Sequence, residues 1–194
     1  MEEQLLSLAE ITRSFGAINA LKEVSFDVKP GEVMGLVGEN GAGKSSLVKI
    51  IGGFDSGFSG QLTFAGKKVR FSGPVMAERA GIAIAQQELS LIPTMSVAEN
   101  VLLVGDNVPK LATKRQLTKL VKPFLSEVGL DYIDPATSVE RLSVGERHLV
   151  EVARLIAHDP QLLILDEPTA ALGETDSIRI LEMVERLVKR GKSV

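Results

Sequence analysis

The sequence contains no cysteine. That excludes disulfides and thiolate metal sites and leaves a hydrophobic core to hold the fold. It also has no excess of positive charge: 22 Lys and Arg stand against 25 Asp and Glu, a formal net charge of −3. No general basic field is therefore available to hold nucleic acid or an anionic membrane surface. Long apolar runs are missing as well. The densest, Leu162–Leu165, is far too short to span a bilayer, so any membrane role has to come through a partner. Met1–Ile11 carries Glu2 and Glu3 where a secretory leader needs basic residues followed by an apolar stretch. Internal repeats, low-complexity stretches and flexible linkers are absent too. What is present is a globular composition: 194 residues, 44% of them hydrophobic, enough for one domain or for one domain with an inserted lobe.

Three segments of β-formers lie between turn signals: Leu5–Ile11, Val24–Val28 before Pro30-Gly31, and Gln61–Phe64 before Gly66. They read as a small antiparallel sheet. Val33–Val37 reads as a short buried parallel strand that feeds a helix over Lys44–Ile51. From Ser96 the pattern turns helical, opening with the capping box Ser96-Val97-Ala98-Glu99. Thr113 and Gln116 give a second capping box. Leu117, Leu120, Val121, Phe124, Leu125 and Val128 then share one helical face before Gly129, and Pro123 is expected to kink or divide that helix. A third helix is expected from Ser143 to Ala157, then a buried strand Leu162–Leu165, then a helix Thr175–Arg190 closed by Gly191.

Chemistry concentrates in three places. Gly38-Glu39-Asn40-Gly41-Ala42-Gly43-Lys44-Ser45 fits G-x-x-x-x-G-K-[ST], between an expected strand and an expected helix. Its glycines let backbone N–H groups turn toward phosphate oxygens, the helix N-terminus adds partial positive charge, and Lys44 adds a full one. The Ser45 hydroxyl suits Mg²⁺. The plainer alternative is a glycine-rich turn capping an ordinary helix. Leu162–Leu165 delivers Asp166 and Glu167 at the C-terminal end of a strand, where open α/β sheets bind ligands; Asp166 suits Mg²⁺ and Glu167 suits a base for the water attacking a γ-phosphate. Alone, this pair also reads as a polar turn before Pro168. Leu142-Ser143-Val144-Gly145-Glu146 is a third capping box, whose serine and glycine at a helix start could also hold phosphate.

The order of the glycine-rich loop, Gln87, Leu142–Glu146 and Asp166-Glu167 resembles the nucleotide-binding domain of ABC ATPases over essentially the whole chain. The resemblance implies an α/β fold, a P-loop NTPase (RecA-like) core with an N-terminal antiparallel β subdomain and an inserted α-helical subdomain. Residues 1–87 would form the core and β subdomain, 88–157 the helical subdomain, and 158–194 a continuation of the core. It implies that Gly38, Glu39, Asn40, Gly41, Ala42, Gly43, Lys44, Ser45 and Ser46 hold MgATP and that adenine stacks on Phe15. Asp166, Ser45 and Gln87 would serve Mg²⁺. Glu167, Gln87 and Lys44 would serve catalysis. In this family two domains pair head to tail, so Leu142, Ser143, Val144, Gly145 and Glu146 would close over ATP held by the partner. Membrane-spanning subunits would receive the motion at the cytoplasmic face of the cell membrane, a substrate-binding protein would act indirectly, and no nucleic acid is expected.

Val69-Arg70-Phe71, Ala80–Ile84, Gln87-Glu88-Leu89 and Ser143–Glu146 resemble the sugar-importer branch more particularly. Val144 and Glu146 replace the commoner Gly and Gln of the signature, and Gly173 stands where many relatives have an aspartate. The family's histidine after the next strand does not occur before Val194, which suggests a piece of a longer protein that hydrolyses ATP poorly by itself. His148 and His158 precede Asp166; a solvated helix face suits the first and a helix C-terminus the second. Two other functions remain open from sequence: an ABC ATPase acting on ribosomes or nucleic acid, and a nucleotide-dependent dimerisation module without turnover.

Overall fold

The computed structural model describes residues 4–86, 89–103, 113–168 and 173–194. The chain divides into two compact units, Met1–Ala83 with Gln161–Ile164 and Leu187–Val194, and Ile84–Pro160 with Leu165–Arg186.

The first unit is built on a four-stranded antiparallel sheet of order β2-β1-β3-β4, from β1 (Leu6–Phe15), β2 (Ile18–Val28), β3 (Ser59–Phe64) and β4 (Lys67–Val69). β1 and β2 are longer than the sequence pattern suggests. The alternation breaks at bulges where Glu10 and Glu23 take positive φ, and the Ser25 and Thr12 hydroxyls accept the Glu10 and Glu23 amides at 2.8 and 3.0 Å. Leu6, Leu8, Ile11, Leu62 and Phe64 fill the covered face. β4 is short, and its pairing is set by a tight turn with Ala65 and Gly66 at φ 47 and 73, matching a two-residue hairpin loop.

α1 (Lys44–Ile51) buries Leu47, Ile50 and Ile51. α2 (Pro74–Ala80) starts on proline and ends on Gly81 at φ 102, two signals that mark a helix too short to show periodicity. β5 (Ile82–Ala85) and β6 (Leu162–Leu165) follow, and within this unit the Leu162 amide donates to the Gly81 carbonyl at 3.1 Å.

The stretch at Val33–Val37 departs from the expected buried strand. Met34 donates to Val194 and Val194 to Glu32, at 2.8 and 2.9 Å, but among the described residues no ladder continues beyond them. Val33, Met34, Leu36 and Val37 are exposed, Val37 by 93%. Burial of a strand depends on neighbours along both edges, and an apolar run cannot specify them. On its other side Ser193–Val194 runs beside β6: Ser193 donates to Gln161 and accepts from Leu163, each at 2.9 Å, and its buried hydroxyl links the Lys29 carbonyl to the Gly31 amide.

The second unit is helical: α3 (Val97–Leu102), α4 (Lys114–Glu127), a 3-10 turn Val139–Arg141, α5 (Val144–Ile156) and most of α6 (Glu174–Lys189). α3, α4 and α5 pack on one another around Val97, Val101, Val121, Leu125, Val128, Leu149 and Val150. All three capping boxes read from the sequence are formed, at Ser96/Glu99, Thr113/Gln116 and Ser143/Glu146. Two expectations for α4 need correction. Pro123 does not divide it, because both Pro123 and Lys119, whose carbonyl loses its helical donor there, face solvent. Leu120 is 42% exposed at the rim of the apolar face, not within it.

Asn100, 1% exposed, organises the entry to this unit. Its side chain accepts from the Ile92 amide at 2.7 Å and donates to the carbonyls of Ile92 and Ser96 at 3.0 and 3.1 Å. Asn100→Leu removes these partners from buried backbone groups. It should lower unfolding free energy by on the order of 3 kcal/mol in urea denaturation, whereas an unchanged midpoint would mean that the loop does not depend on the amide.

Candidate functional site

In the first unit the glycine-rich loop wraps the N-terminus of α1. Gly41 and Gly43 take φ 85 and 92, and the Ala42 amide closes the loop on the Glu39 carbonyl at 3.1 Å. Gly43 is irreplaceable on two counts: its φ disfavours a side chain, and a Cβ there would lie 2.3 Å from the Ala20 carbonyl oxygen and 2.8 Å from the Leu21 side chain. The loop is thereby pressed onto β2, a contact with no sequence signal. No side chain caps α1 and no acidic residue stands in its first turn, in contrast to α3, α4 and α5, each of which carries a glutamate or glutamine in a capping box. The positive end of α1 is therefore not compensated by an acidic side chain of its own first turn. Lys44 folds back over the loop, its Nζ donating to the Gly38 and Glu39 carbonyls at 2.6 and 2.9 Å. Ser45 is exposed and Ser46 half-buried in the first turn.

Phe15 ends β1 opposite Ile18 of β2; the two are 50% and 71% exposed. This pair stands on the same hairpin that Gly43 touches at Ala20 and Leu21.

In the second unit the Asp166 amide donates to Ala85 at 3.1 Å, continuing the pairing of β6 with β5. Asp166 is half-buried and Glu167 exposed. Among the described residues neither carboxylate is drawn into an ion pair. Glu167 has φ 49, a left-handed backbone that costs a non-glycine residue about 1–3 kcal/mol. Gln87 and Glu88 lie outside the described residues.

The segment Leu142–Glu146 opens α5 with Leu142 and Gly145 buried and Ser143 and Val144 exposed. Ser143 Oγ accepts from the Glu146 amide at 3.2 Å, and Glu146 Oε2 accepts from the Ser143 amide at 2.8 Å. Sequence reasoning stopped at this box, but the site extends further. Glu146 Oε1 accepts from the hydroxyl of Tyr132 at 3.0 Å, and Arg179 of α6 donates to that hydroxyl at 3.1 Å and to Asp176 at 2.9 Å. Asp176 lies against Gly145 so closely that a Cβ on residue 145 would come 1.9 Å from its Oδ2. Burial pushes the Glu146 carboxyl up, but the Ser143 amide, the Tyr132 and Ser143 hydroxyls and the Arg179 charge outweigh it and hold it below the usual glutamate range. Burial and the bond to Glu146 push the Tyr132 hydroxyl above its ordinary value, against the opposing pull of Arg179.

His148 is half-buried, with Nδ1 2.9 Å from the Val144 carbonyl in the preceding turn of its own helix. Gly173 serves α6, its carbonyl accepting from the Ser177 amide and hydroxyl, each at 3.0 Å.

Among the described residues no group of three His, Asp or Glu side chains forms a metal cage.

A glycine-rich loop opening α1, a lysine over an uncapped helix start and a strand followed by two carboxylates are the features of a P-loop NTPase fold. The family model described as ABC transporter matches residues 21–170, and the chain belongs to that family. It is 39% identical over 194 residues to the ribose import ATP-binding protein RbsA 3 of Rhizobium meliloti (strain 1021), matching all of this chain and 38% of that protein. It is 42% identical over 196 residues to the L-arabinose transport ATP-binding protein AraG of Geobacillus stearothermophilus, again matching all of this chain and 38% of the other. The chain thus spans about two fifths of the length of these curated relatives. It covers 76% of the xylose/arabinose import ATP-binding protein XylG of Sulfolobus acidocaldarius, at 38% identity over 98% of this chain. Among solved structures, the ADP conformation of MJ1267, an ATP-binding cassette of an ABC transporter, has a TM-score of 0.85 at 25% identity, covering 98% of this chain and 79% of that one. CbiO1 from Clostridium perfringens, part of the ABC transporter complex cbiONQ, has a TM-score of 0.84 at 28% identity, covering 99% and 77%.

The depressed Glu146 carboxyl contributes stability that is present above the unfolded value of about 4.5 and lost as pH falls through its lower folded value. Glu146→Gln should therefore lie below the wild type in melting temperature near neutral pH, with the gap narrowing as pH falls below the ordinary glutamate value. A gap independent of pH would show that the carboxylate charge contributes nothing.

Proposed function

We propose that this chain is the ATP-binding and ATP-hydrolysing part of an ABC importer, powering carbohydrate uptake through membrane-spanning partner subunits. The observation that carries this reading is the uncapped start of α1 with Lys44 folded over its loop. Amides from Gly38 to Ser46 would hold the triphosphate, Lys44 would neutralise the β- and γ-phosphates, and adenine would stack on Phe15. Ser45 would hold Mg²⁺ together with Asp166, directly or through water, and Gln87 would contact Mg²⁺ or the attacking water; the ion would supply charge neutralisation at the phosphates. Glu167 would orient a water for attack on the γ-phosphorus and take its proton as the bond to the ADP oxygen breaks; ADP and phosphate leave.

Ser143 and Gly145 would complete the site of a second nucleotide-binding domain paired head to tail, so ATP favours the closed pair and closure carries the work. Residues 88–157 would form the subdomain that passes closure to the membrane subunits at the cytoplasmic face. Among the described residues no helix is long and apolar enough to cross a membrane. The import of sugars is inferred from the relatives, whose names specify ribose, L-arabinose and xylose/arabinose.

In the intact protein assembled with its membrane partners, Glu167→Gln should leave ATP affinity unchanged. It should lower phosphate release by roughly 10²–10⁴-fold and stop pentose uptake. Unchanged turnover would remove Glu167 from the base role, and turnover without uptake of any sugar in the wild type would remove the transport assignment.

A further inference from the structure

Behind Phe15 lies a feature that the phosphate loop does not account for. The Arg13 guanidinium sits over one face of the Phe15 ring, its Cζ 4.3 Å from the centroid. It is not a loose surface charge. Nε donates to Asp55 Oδ2 at 2.7 Å, and Nη1 donates to the Gly57 carbonyl, also at 2.7 Å. Gly57 forms the floor beneath it: a Cβ there would lie 2.7 Å from Nη1 and 2.9 Å from Cζ. The guanidinium is thus held between the Gly57 backbone and the Phe15 ring. Asp55 is set in turn, its carboxylate accepting from the Gly57 amide at 2.8 Å. Burial pushes that carboxyl up, but the Gly57 amide and the Arg13 charge outweigh it and keep it ionised further into acid than an ordinary aspartate.

The turn that carries Asp55 belongs to the phosphate-loop helix. The Phe54 and Asp55 amides both donate to the Lys49 carbonyl in the last turn of α1, at 2.8 and 3.2 Å. A continuous set of contacts therefore runs from α1, whose first residue is Lys44, through Asp55 and Arg13 to Phe15. All of it lies within the first unit.

We propose that Arg13 is a positioning residue for purine binding: braced by Asp55 and Gly57, it fixes the Phe15 ring and leaves the opposite face for the base. A cation on one face draws π-electron density toward itself, which lessens repulsion between the other face and the electron-rich π cloud of adenine. The brace also sets the spacing between the base platform and the phosphate loop, because both are anchored on α1. The inference rests on the reading of Phe15 as the base platform, and the test separates the two.

The test is calorimetric titration of the intact protein with ATP and, separately, with inorganic tripolyphosphate, which has the phosphates and no base. Arg13→Leu should weaken ATP binding roughly three- to tenfold and leave tripolyphosphate binding unchanged. Arg13→Lys keeps a charge for Asp55 but has no planar group for the ring, and should recover only part of the loss. In a Phe15→Ala background, Arg13→Leu should cause no further loss, because the two act through one ring. Equal weakening of both ligands by Arg13→Leu and Arg13→Lys would assign Arg13 to general stability and overturn the proposal. An ATP loss in Phe15→Ala with none in either Arg13 variant would overturn the brace alone. No ATP loss in Phe15→Ala would remove the base platform and the brace with it.

Discussion

The carbonyl oxygen of Ala20 leaves no room for a side chain at residue 43, and the functional reading of the first unit depends on that contact. Gly43 can approach β2 only because it lacks a Cβ and tolerates a left-handed backbone. The approach starts α1 against the β1–β2 hairpin, with its first-turn amides uncapped and Lys44 above them. Phe15 and Ile18 occupy the same hairpin, so one close contact brings an uncapped helix start and an exposed apolar pair into a single unit. A nucleotide presents those two chemistries, joined through a ribose.

α5 begins with the opposite arrangement. Glu146 reaches back to the Ser143 amide, and Tyr132 and Arg179 hold that carboxylate in place. A helix start satisfied by its own acid has less to offer an anion than one left bare. The two helix starts thus differ: the first has no side-chain cap, and the second is capped by its own glutamate and leaves Ser143 exposed. Asp176 pressed on Gly145 ties the frame to α6, so the helix after Glu167 and the helix after Ser143 share one set of contacts.

Much of this was legible in the sequence wherever the information is local. The loop Gly38–Ser45 and the three capping boxes depend on spacings of a few residues, and all three boxes form as read. The strand Leu162–Leu165 was also plain, being a short apolar run bounded by turn residues. Elements that rest on distant partners were not. Bulges at Glu10 and Glu23 interrupt the alternation that would have announced the full length of β1 and β2. Val33–Val37 looks buried by composition, yet burial is decided by neighbours in space. The Arg13–Asp55 pair joins residues 42 apart and the Tyr132–Arg179 contact residues 47 apart, and neither has a spacing to betray it.

The central claim is that the bare start of α1 holds a triphosphate. Calorimetric titration of MgATP into the protein and into Lys44→Ala, both first verified as folded by circular dichroism, tests it most directly. The account predicts saturable binding to the wild type that is lost in the variant. Equal binding by the two, or none by the folded wild type, would contradict it.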